Sequence, residues 1–264
     1  MSRYFAELRM FFRHLLRRQF SMSSSLIDDA KRRAAYKAVD GYISPTTKVV
    51  GIGSGSTVVY VIERILQRGK EANSNIVFIP TSFQSRELIV RNGLTLGDVD
   101  AYPEIDVTID GADEVDEHLN AIKGGGGCHL REKVVAEAAK KFIIVADHRK
   151  NSKILGEKWI QGVPIEVIPF AYTRVTMALK TLGCDNPVLR MAKAKAGPVI
   201  TDNGNFVIDA NFGLIYDPDD LMKKIKMLTG VVEVGLFVRL AQIAYFGNEN
   251  GSVTEKKSVL YETE

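Results

Sequence analysis

Three short stretches of the chain combine glycine with residues that can bind a ligand or move a proton. They are Gly-Ile-Gly-Ser-Gly-Ser-Thr at 51–57, Asp-Gly-Ala-Asp-Glu at 110–114 and Lys-Gly-Gly-Gly-Gly-Cys at 123–128. Each lies beside an apolar run that is typical of a β-strand. In open α/β sheets, ligands bind outside the carboxyl ends of the strands. We therefore expect the three stretches to share one cleft.

The first stretch has the properties of an anion site. Its glycines allow a tight turn, the helix predicted after it points free N–H groups at a ligand, and Ser54, Ser56 and Thr57 add hydroxyl donors. The stretch lacks the lysine of a P-loop, and Ser56 stands where a dinucleotide fingerprint has its third glycine. It therefore indicates a phosphate more than a dinucleotide. The alternative is a purely structural turn.

The second stretch places two carboxylates, Asp110 and Asp113, three residues apart on a loop of small residues. Such a pair can hydrogen-bond the hydroxyls of a polyol or bind a metal ion. No histidine or cysteine stands nearby in a ligating pattern, which weakens the metal interpretation. A solvated turn with capping acids is the alternative.

The third stretch contains four consecutive glycines, Gly124–Gly127. Glycine costs conformational entropy on folding, and no turn requires four of them. The run therefore indicates backbone that passes very close to a ligand, and Lys123 adds a cation at its edge. A flexible linker is the alternative, but patterned segments lie on both sides of the run.

The elements that must position these stretches alternate between helix and strand in the first part of the chain. Helices are predicted over 26–42, 58–68, 82–92 and 132–141, and strands over 48–52, 76–80, 105–110 and 142–147. The strands are almost continuously apolar, which indicates a parallel sheet covered on both faces. This part of the chain is predicted to form a Rossmann-like domain.

After Gly162 the order of elements changes. Strands are predicted over 164–169, 188–192, 206–210 and 231–238, and a turn at 202–204 is predicted between the second and third of them. Helices are predicted over 173–182 and from Asp217 to Gly230. The order strand-helix-strand-strand-helix-strand is that of a ferredoxin-like α+β domain. We predict an α/β fold in which residues 26–162 and 239–264 form the Rossmann-like domain. Residues 163–238 are predicted to be an inserted ferredoxin-like domain.

Composition excludes several classes of protein. Lys+Arg 35 and Asp+Glu 32 give a formal net charge of +3, which does not call for a nucleic-acid partner. No apolar run reaches the ~18 residues of a membrane span. The two cysteines fit reduced thiols of the cytosol, and the four histidines are too scattered for a protein-built zinc site.

The first 25 residues differ from the rest. They carry five arginines against one acid, with apolar residues at helical spacing, which is the composition of a mitochondrial presequence. A disordered leader, or translation starting at Met22, is the alternative. We expect a cytoplasmic protein, and this leader keeps a mitochondrial location open.

Taken together, the chain resembles the A-type ribose-5-phosphate isomerase family from about Leu26 onward. Besides the three stretches above, the motifs that carry the resemblance are Pro-Thr-Ser-Phe-Gln (80–84), Arg-Glu-Lys (131–133), Ala-Asp-His-Arg-Lys (146–150), Pro-Ile-Glu-Val-Ile-Pro (164–169), Thr-Asp-Asn-Gly-Asn (201–205) and Gly-Val-Val-Glu-Val-Gly-Leu-Phe (230–237). In this order and spacing the set is highly specific. The family combines a Rossmann-like and a ferredoxin-like domain, in agreement with the predicted elements.

The resemblance implies that the chain interconverts D-ribose 5-phosphate and D-ribulose 5-phosphate, without a metal ion or other cofactor, in the non-oxidative branch of the pentose phosphate pathway. It implies that Glu132 is the general base and that Asp110, Asp113 and Lys123 also act in catalysis. The implied substrate-binding residues are Ser54, Gly55, Ser56, Thr57, Asp110, Gly111, Ala112, Asp113, Lys123, Gly124, Gly125, Gly126 and Lys150. The implied partners are the small phosphopentose and further copies of the chain, in a homodimer or homotetramer.

The residue types suit this reaction. To move a carbonyl between C1 and C2, a proton must leave one carbon and return to its neighbour, and one carboxylate can do both. The enediolate that forms needs a fixed cation or donor. Asp110 and Asp113 would orient sugar hydroxyls and assist ring opening, while Ser56 and Thr57 would bind phosphate with one of the lysines. The sequence leaves open whether Lys123 serves the phosphate or the enediolate.

Two other functions fit parts of the pattern. A non-catalytic sensor of sugar phosphates would need the same loops, but the chain has no helix-turn-helix and keeps the candidate base and both acids. A dehydrogenase would need an intact dinucleotide fingerprint, which is broken here. We therefore expect an aldose–ketose isomerase, with the sensor as the alternative.

Overall fold

The computed structural model describes residues 26–258. The interpretation of residues 1–25 as a leader lies outside the described residues, as does the end of the chain. In chain order the strands are β1 (Val49–Ile52), β2 (Val77–Pro80), β3 (Thr95–Leu96), β4 (Val107–Asp110), β5 (Glu114–Val115), β6 (Ala121–Ile122), β7 (Phe142–Asp147), β8 (Val163–Val167), β9 (Val188–Leu189), β10 (Phe206–Ala210), β11 (Val231–Val234), β12 (Leu236–Phe237), β13 (Ile243–Gly247) and β14 (Val253–Lys257). The helices are α1 (26–42), α2 (Val58–Gln67), α3 (Lys70–Asn73), α4 (Phe83–Arg91), α5 (His129–Glu137), α6 (Tyr172–Thr181) and α7 (Pro218–Lys226).

A seven-stranded sheet forms the larger part of the molecule. Its strand order is β14-β13-β7-β4-β1-β2-β3, and every neighbouring pair is parallel except β13 and β14. The central strands β1, β4 and β7 are buried along their whole length. This is why their sequences are almost continuously apolar, and the predicted Rossmann-like sheet is confirmed.

Helices cover both faces of this sheet through apolar stripes. Helix α2 buries Val58, Val61, Ile62 and Ile65. Each such side chain contributes on the order of 1.5–3 kcal/mol by leaving water. Helix α1 packs an alanine-rich face so closely on β13 that a side chain at Gly247 would lie 1.8 Å from the Ala30 carbonyl oxygen.

A second, four-stranded sheet has the order β11-β8-β10-β9, and all of its pairs are antiparallel. Numbered within this segment, the order is 4-1-3-2, which is the arrangement of a ferredoxin-like unit. Helix α7 begins as predicted: Asp217 accepts a hydrogen bond from the Asp220 N–H, and Pro218 occupies the first turn. Strands β13 and β14, after this unit, belong to the large sheet. The domain boundaries at 162 and 239 stay predictions.

The prediction of a single strand over 231–238 is wrong, because the strand is interrupted at Gly235. A side chain there would lie 2.2 Å from the Lys123 carbonyl oxygen and 2.9 Å from that of Pro164. Strand β11 therefore stays in the four-stranded sheet, while β12 enters a small sheet with the order β12-β6-β5 that the sequence did not predict. This small sheet places Lys123 directly after β6.

Three further expectations need correction. Helix α5 begins at His129 and not at Glu132, so Glu132 lies in its first turn. Helix α7 ends at Lys226, and Gly230, with φ of 98°, instead leads the chain into β11. The turn at 202–204 forms, but it is the end of a long connection over 190–205 and not a tight hairpin between β9 and β10. Among the described residues, no helix is long and apolar enough to cross a membrane.

Candidate active site

The three glycine-bearing stretches meet at one cavity of about 290 Å³. The cavity lies beside the carboxyl ends of β1, β4 and β7, where the strand-end rule predicts a ligand. Its lining is Lys31, Ser54, Gly55, Ser56, Thr57, Gly111, Ala112, Asp113, Lys123, Gly124, Gly125, Gly126, Glu132, Ala146, Asp147, Arg149 and Lys150. Every predicted site residue except Asp110 is in this lining.

Asp110 lies beneath the cavity and is fully buried at the end of β4. Its Oδ1 accepts hydrogen bonds from the N–H groups of Ser54, at 2.9 Å, and Gly111, at 2.6 Å. A side chain at Gly53 would lie 1.9 Å from the same oxygen, so only glycine fits there. Asp110 thus ties the first and second stretches together. Direct contact between Asp110 and a sugar, expected from the sequence, stays a prediction, and Asp110 is not among the residues that line the cavity.

The first stretch also depends on the end of β2. The Ser54 hydroxyl lies 2.8 Å from that of Thr81 and 2.7 Å from that of Ser82. The Gly55 N–H donates to Gln84 Oε1 at 2.8 Å. The motif at 80–84 therefore shapes the anion loop from outside the cavity.

The same loop forms the end of the cavity that is best suited to an anion. Helix α2 begins immediately after Thr57, so its first N–H groups and the positive end of its dipole point toward the loop. Ser56 Oγ accepts a hydrogen bond from Lys31 Nζ at 3.0 Å. Free amides, hydroxyls and an ammonium together match the requirements of a phosphate dianion.

Lys123 is buried between two carboxylates at the other part of the cavity. Its Nζ lies 2.9 Å from Asp110 Oδ2 and 3.4 Å from Glu132 Oε1, and it donates to the Gly111 carbonyl at 2.6 Å. Burial alone would lower the pKa of Lys123, but the charges of Asp110 and Glu132 outweigh it, and the pKa is raised. Lys123 therefore remains an ammonium.

Glu132 has the properties of a general base. It is buried, and its Oε2 has no hydrogen-bond partner among the described residues. Burial and the negative charge of Asp110 raise the pKa of Glu132 to about 8, against the opposing charge of Lys123. The group is thus a stronger base than an exposed glutamate, and one of its oxygens is available to a ligand.

Asp113 and the glycine run form the remaining wall. Asp113 Oδ2 accepts a hydrogen bond from the Gly125 N–H at 2.7 Å, and burial raises the pKa of Asp113. A side chain at Gly125 would lie 2.6 Å from Asp113 Oδ1. Arg190 donates to the carbonyls of Gly124 and Gly125, at 2.9 and 3.1 Å. The run therefore follows a defined path, and the linker alternative is excluded.

The residues on either side of Glu132 hold its helix against the segment 163–238. Arg131 donates to the Asn203 side chain at 2.7 Å and to the Asp202 carbonyl at 2.8 Å. Lys133, which is buried, donates to Glu233 Oε1 at 2.8 Å and to the Val234 carbonyl at 2.7 Å. The position of Glu132 therefore depends on both parts of the fold.

Comparisons with known proteins identify the family of the chain. The family model described as ribose 5-phosphate isomerase A (phosphoriboisomerase A) matches residues 77–251. A curated relative from Mycosarcoma maydis, named ribose-5-phosphate isomerase, is 63% identical over 87% of this chain and 81% of its own. A relative of the same name from Schizosaccharomyces pombe is 58% identical over 89% of this chain and 85% of its own.

The chain belongs to the ribose 5-phosphate isomerase A family. Solved structures of the family have the same fold. The enzyme from Methanocaldococcus jannaschii superimposes with a TM-score of 0.80 at 40% identity, over 87% of this chain and 98% of its own. A D-ribose-5-phosphate isomerase in complex with phospho-erythronic acid gives a TM-score of 0.82 at 38% identity, over 88% and 99%.

Sequence reasoning did not predict four residues of the cavity lining, which are Lys31, Ala146, Asp147 and Arg149. Lys31 lines the cavity from α1, but a lysine on an amphipathic helix gives no signal of its own. Ala146 and Asp147 end β7 and Arg149 follows it, where the strand-end rule could have found them. Arg149 Nε lies 2.6 Å from Asp147 Oδ1. Within residues 26–258 no group of three or more His, Cys, Asp and Glu side chains could hold a metal ion.

Proposed function

We propose that this chain interconverts D-ribose 5-phosphate and D-ribulose 5-phosphate in the cavity described above. The observation that carries the proposal is the Glu132 carboxylate. It lines the cavity, its pKa is raised, one oxygen has no hydrogen-bond partner among the described residues, and a buried ammonium lies 3.4 Å from the other. These are the requirements for removing a weakly acidic proton next to a carbonyl.

In the proposed reaction Glu132 removes the proton from C2 of the open-chain aldose. The electrons of the C–H bond form the C1–C2 double bond of an enediol(ate), and the negative charge collects on the oxygens beside Lys123. Glu132 then returns its proton to C1, while the hydroxyl proton passes from O2 to O1. Because Lys123 lies against Glu132 and Asp110, we assign it to the enediolate and not to the phosphate.

The remaining residues are assigned by position. Ser56, Thr57, Lys31 and the first turn of α2 would bind the phosphate. Asp113, which lines the cavity with a raised pKa, is suited to moving the proton of a sugar hydroxyl when the furanose ring opens. Asp110 acts through Lys123 and through the loop amides that it holds.

An assay of the purified chain on ribose 5-phosphate, with a chelator present, tests the proposal. We expect ribulose 5-phosphate to form at a rate that the chelator does not change. In deuterated water, deuterium should enter C1 of ribulose 5-phosphate and C2 of ribose 5-phosphate during turnover. Binding of ribose 5-phosphate without turnover and without exchange would contradict the proposal and would support the sensor alternative.

We further propose that copies of the chain associate as a homodimer or homotetramer in the cytoplasm. Support for association comes from apolar side chains left exposed on the segment 163–238, among them Ile168, Phe170 and Met177. Light scattering on the full chain tests this, and a monomer at micromolar concentration would contradict it.

A reporter fused to residues 1–25 tests the mitochondrial alternative to a cytoplasmic location.

A further inference from the structure

Lys150 differs from the other cations of the cavity in how it is held. Lys31 bonds to Ser56, Lys123 lies between two carboxylates, and Arg149 pairs with Asp147. Among the described residues, the Lys150 ammonium makes no hydrogen bond and no ion pair. Its Nζ instead lies 5.0 Å from the centre of the Trp159 ring.

We propose that Trp159 is the positioning residue of Lys150, holding its ammonium at the cavity for the oxygens of the sugar phosphate. An aromatic face attracts an ammonium through its quadrupole, yet it carries no charge and accepts no strong hydrogen bond. All three N–H donors and the full positive charge therefore stay available to a ligand. A carboxylate partner would hold the lysine equally well but would neutralise it. This inference rests on the proposed function for the identity of the ligand.

The Trp159 ring is itself firmly positioned. Its Nε1–H donates to the Gly162 carbonyl at 2.9 Å, and the ring packs against the apolar core of the four-stranded sheet. A half-buried ring anchored at its polar end cannot follow the lysine into solvent. Lys150 therefore has a fixed surface to rest on, although it has four rotatable side-chain bonds of its own.

Glu114 supports the loop that carries Trp159, and it is the one acidic residue of the motif at 110–114 that the proposed mechanism does not use. It is fully buried and accepts hydrogen bonds from the N–H groups of Gly156, Lys158 and Trp159, at 2.7, 2.7 and 3.3 Å. Its Oε1 also accepts from the Ser152 hydroxyl at 2.6 Å. One buried carboxylate thus shapes the loop that presents Trp159.

Lys150 is one of the residues that line the cavity. Asp113 also lines it, and the charge of Lys150 opposes the rise that burial causes in the pKa of Asp113. Lys150 therefore adds positive charge to a wall that otherwise carries a carboxylate. Loss of Trp159 should weaken ligand binding more than it slows the proton transfer at Glu132.

A double-mutant cycle tests the proposal through KM and kcat. We expect Trp159→Leu to raise KM for ribose 5-phosphate about three- to tenfold while kcat stays within about twofold, since a cation–π contact of this kind affects binding and not chemistry. Trp159→Phe, which keeps an aromatic face, should give an intermediate KM. Tyr216→Leu removes an aromatic ring that is exposed and does not line the cavity, and it should leave KM unchanged.

The cycle is completed with Lys150→Met. If Trp159 acts through Lys150, the variant that carries both Trp159→Leu and Lys150→Met has the KM of Lys150→Met alone. Losses that multiply in the double variant would overturn the proposal, as would an unchanged KM in Trp159→Leu or a loss confined to kcat. Any of these three results would make the ring a structural element only.

A second measurement reads binding without turnover. Trp159 is the single tryptophan of the chain, so its emission reports on its own surroundings alone. Titrating ribose 5-phosphate into the Glu132→Gln variant should change that emission saturably, and Lys150→Met should abolish the change. An unchanged emission at a ligand concentration where calorimetry shows binding would overturn the proposal. Failure of the proposed function would look different, because the wild-type chain would then show no turnover.

Discussion

Lys123 is the residue on which the charges of the site depend. Its buried ammonium lies against Asp110 and Glu132, and these two carboxylates would otherwise repel each other in a medium of low dielectric constant. The ammonium also lies where the negative charge of an enediolate would form. In the proposed mechanism one side chain therefore holds the two carboxylates together and also stabilises the enediolate.

Replacing this ammonium should be costly. We expect Lys123→Met to lower kcat/KM by ~10²–10³-fold, the usual range for removing one donor from a developing oxyanion. Steady-state kinetics on ribose 5-phosphate provide the measurement. Activity within a few-fold of wild type would show that the enediolate is stabilised elsewhere.

The raised pKa of Glu132 predicts how activity depends on pH. A base acts only when ionised, so kcat/KM should rise with pH through the pKa of Glu132 in the free enzyme. Because burial and Asp110 raise that pKa to about 8, the acidic limb should lie far above the ordinary value of 4.5. A pH profile of kcat/KM checks this. In Lys123→Met the limb should move to still higher pH, and an acidic limb near 4.5 in the wild type would contradict the assignment.

At the scale of elements, helix α5 presents Glu132 between two anchors, Arg131 and Lys133. The Lys133–Glu233 ion pair joins α5 to β11 of the four-stranded sheet, and both side chains are largely buried. Breaking a buried pair leaves an uncompensated group, which is why such pairs are sensitive to single substitutions. The two anchors therefore connect the segment 163–238 to the helix that carries Glu132.

Removing the second anchor should both destabilise the protein and displace the base. We expect Lys133→Met to lower the free energy of unfolding by about 1–3 kcal/mol, less than for an isolated buried pair because Glu233 keeps its contact with Lys226. Urea denaturation measures this loss, and kcat should fall more than KM rises. Lys226→Met removes an ammonium from the same carboxylate without touching α5, and it should leave kcat unchanged. Equal kinetic effects of the two variants would contradict the anchoring role.

The turn after β1 depends on close approach of backbone to side chain. At Gly53 an added methyl group would meet Asp110 Oδ1, whereas at Gly41, near the end of α1, it would meet nothing within 4 Å. We expect Gly53→Ala to displace Asp110 and lower kcat/KM by at least ~10-fold, by disturbing the geometry around Lys123. Gly41→Ala is the matched control and should keep full activity. Equal activity of both variants would show that Asp110 can move without consequence.

At the scale of the whole molecule, local patterns predicted most of the fold. Buried parallel strands are recognisable because both of their faces must be apolar, and the helix beginning at Asp217 is recognisable because capping is local chemistry. Gly235 is the counterexample. The apolar run 231–238 has the pattern of one strand, and only the approach of the Lys123 carbonyl explains the break.

The site was predictable to the same extent. The glycine-bearing stretches are recognisable in the sequence because few structural turns need that composition. All three line one cavity. Lys31 and Trp159 give no such signal, since an amphipathic helix and a half-buried aromatic are ordinary parts of a fold. The burial of Asp110 likewise follows from packing between β4 and the loop at 53–54. The spacing of residues along the sequence gives no information on that packing.

The account as a whole rests on one carboxylate that moves a proton between adjacent carbons. The most direct measurement is turnover of ribose 5-phosphate by Glu132→Gln, which keeps the shape of the side chain and removes its basicity, together with the affinity of that variant for the same sugar phosphate. We predict that kcat falls by ~10²–10⁴-fold while the dissociation constant stays within about tenfold of KM for the wild type. Turnover close to that of the wild type would contradict the account.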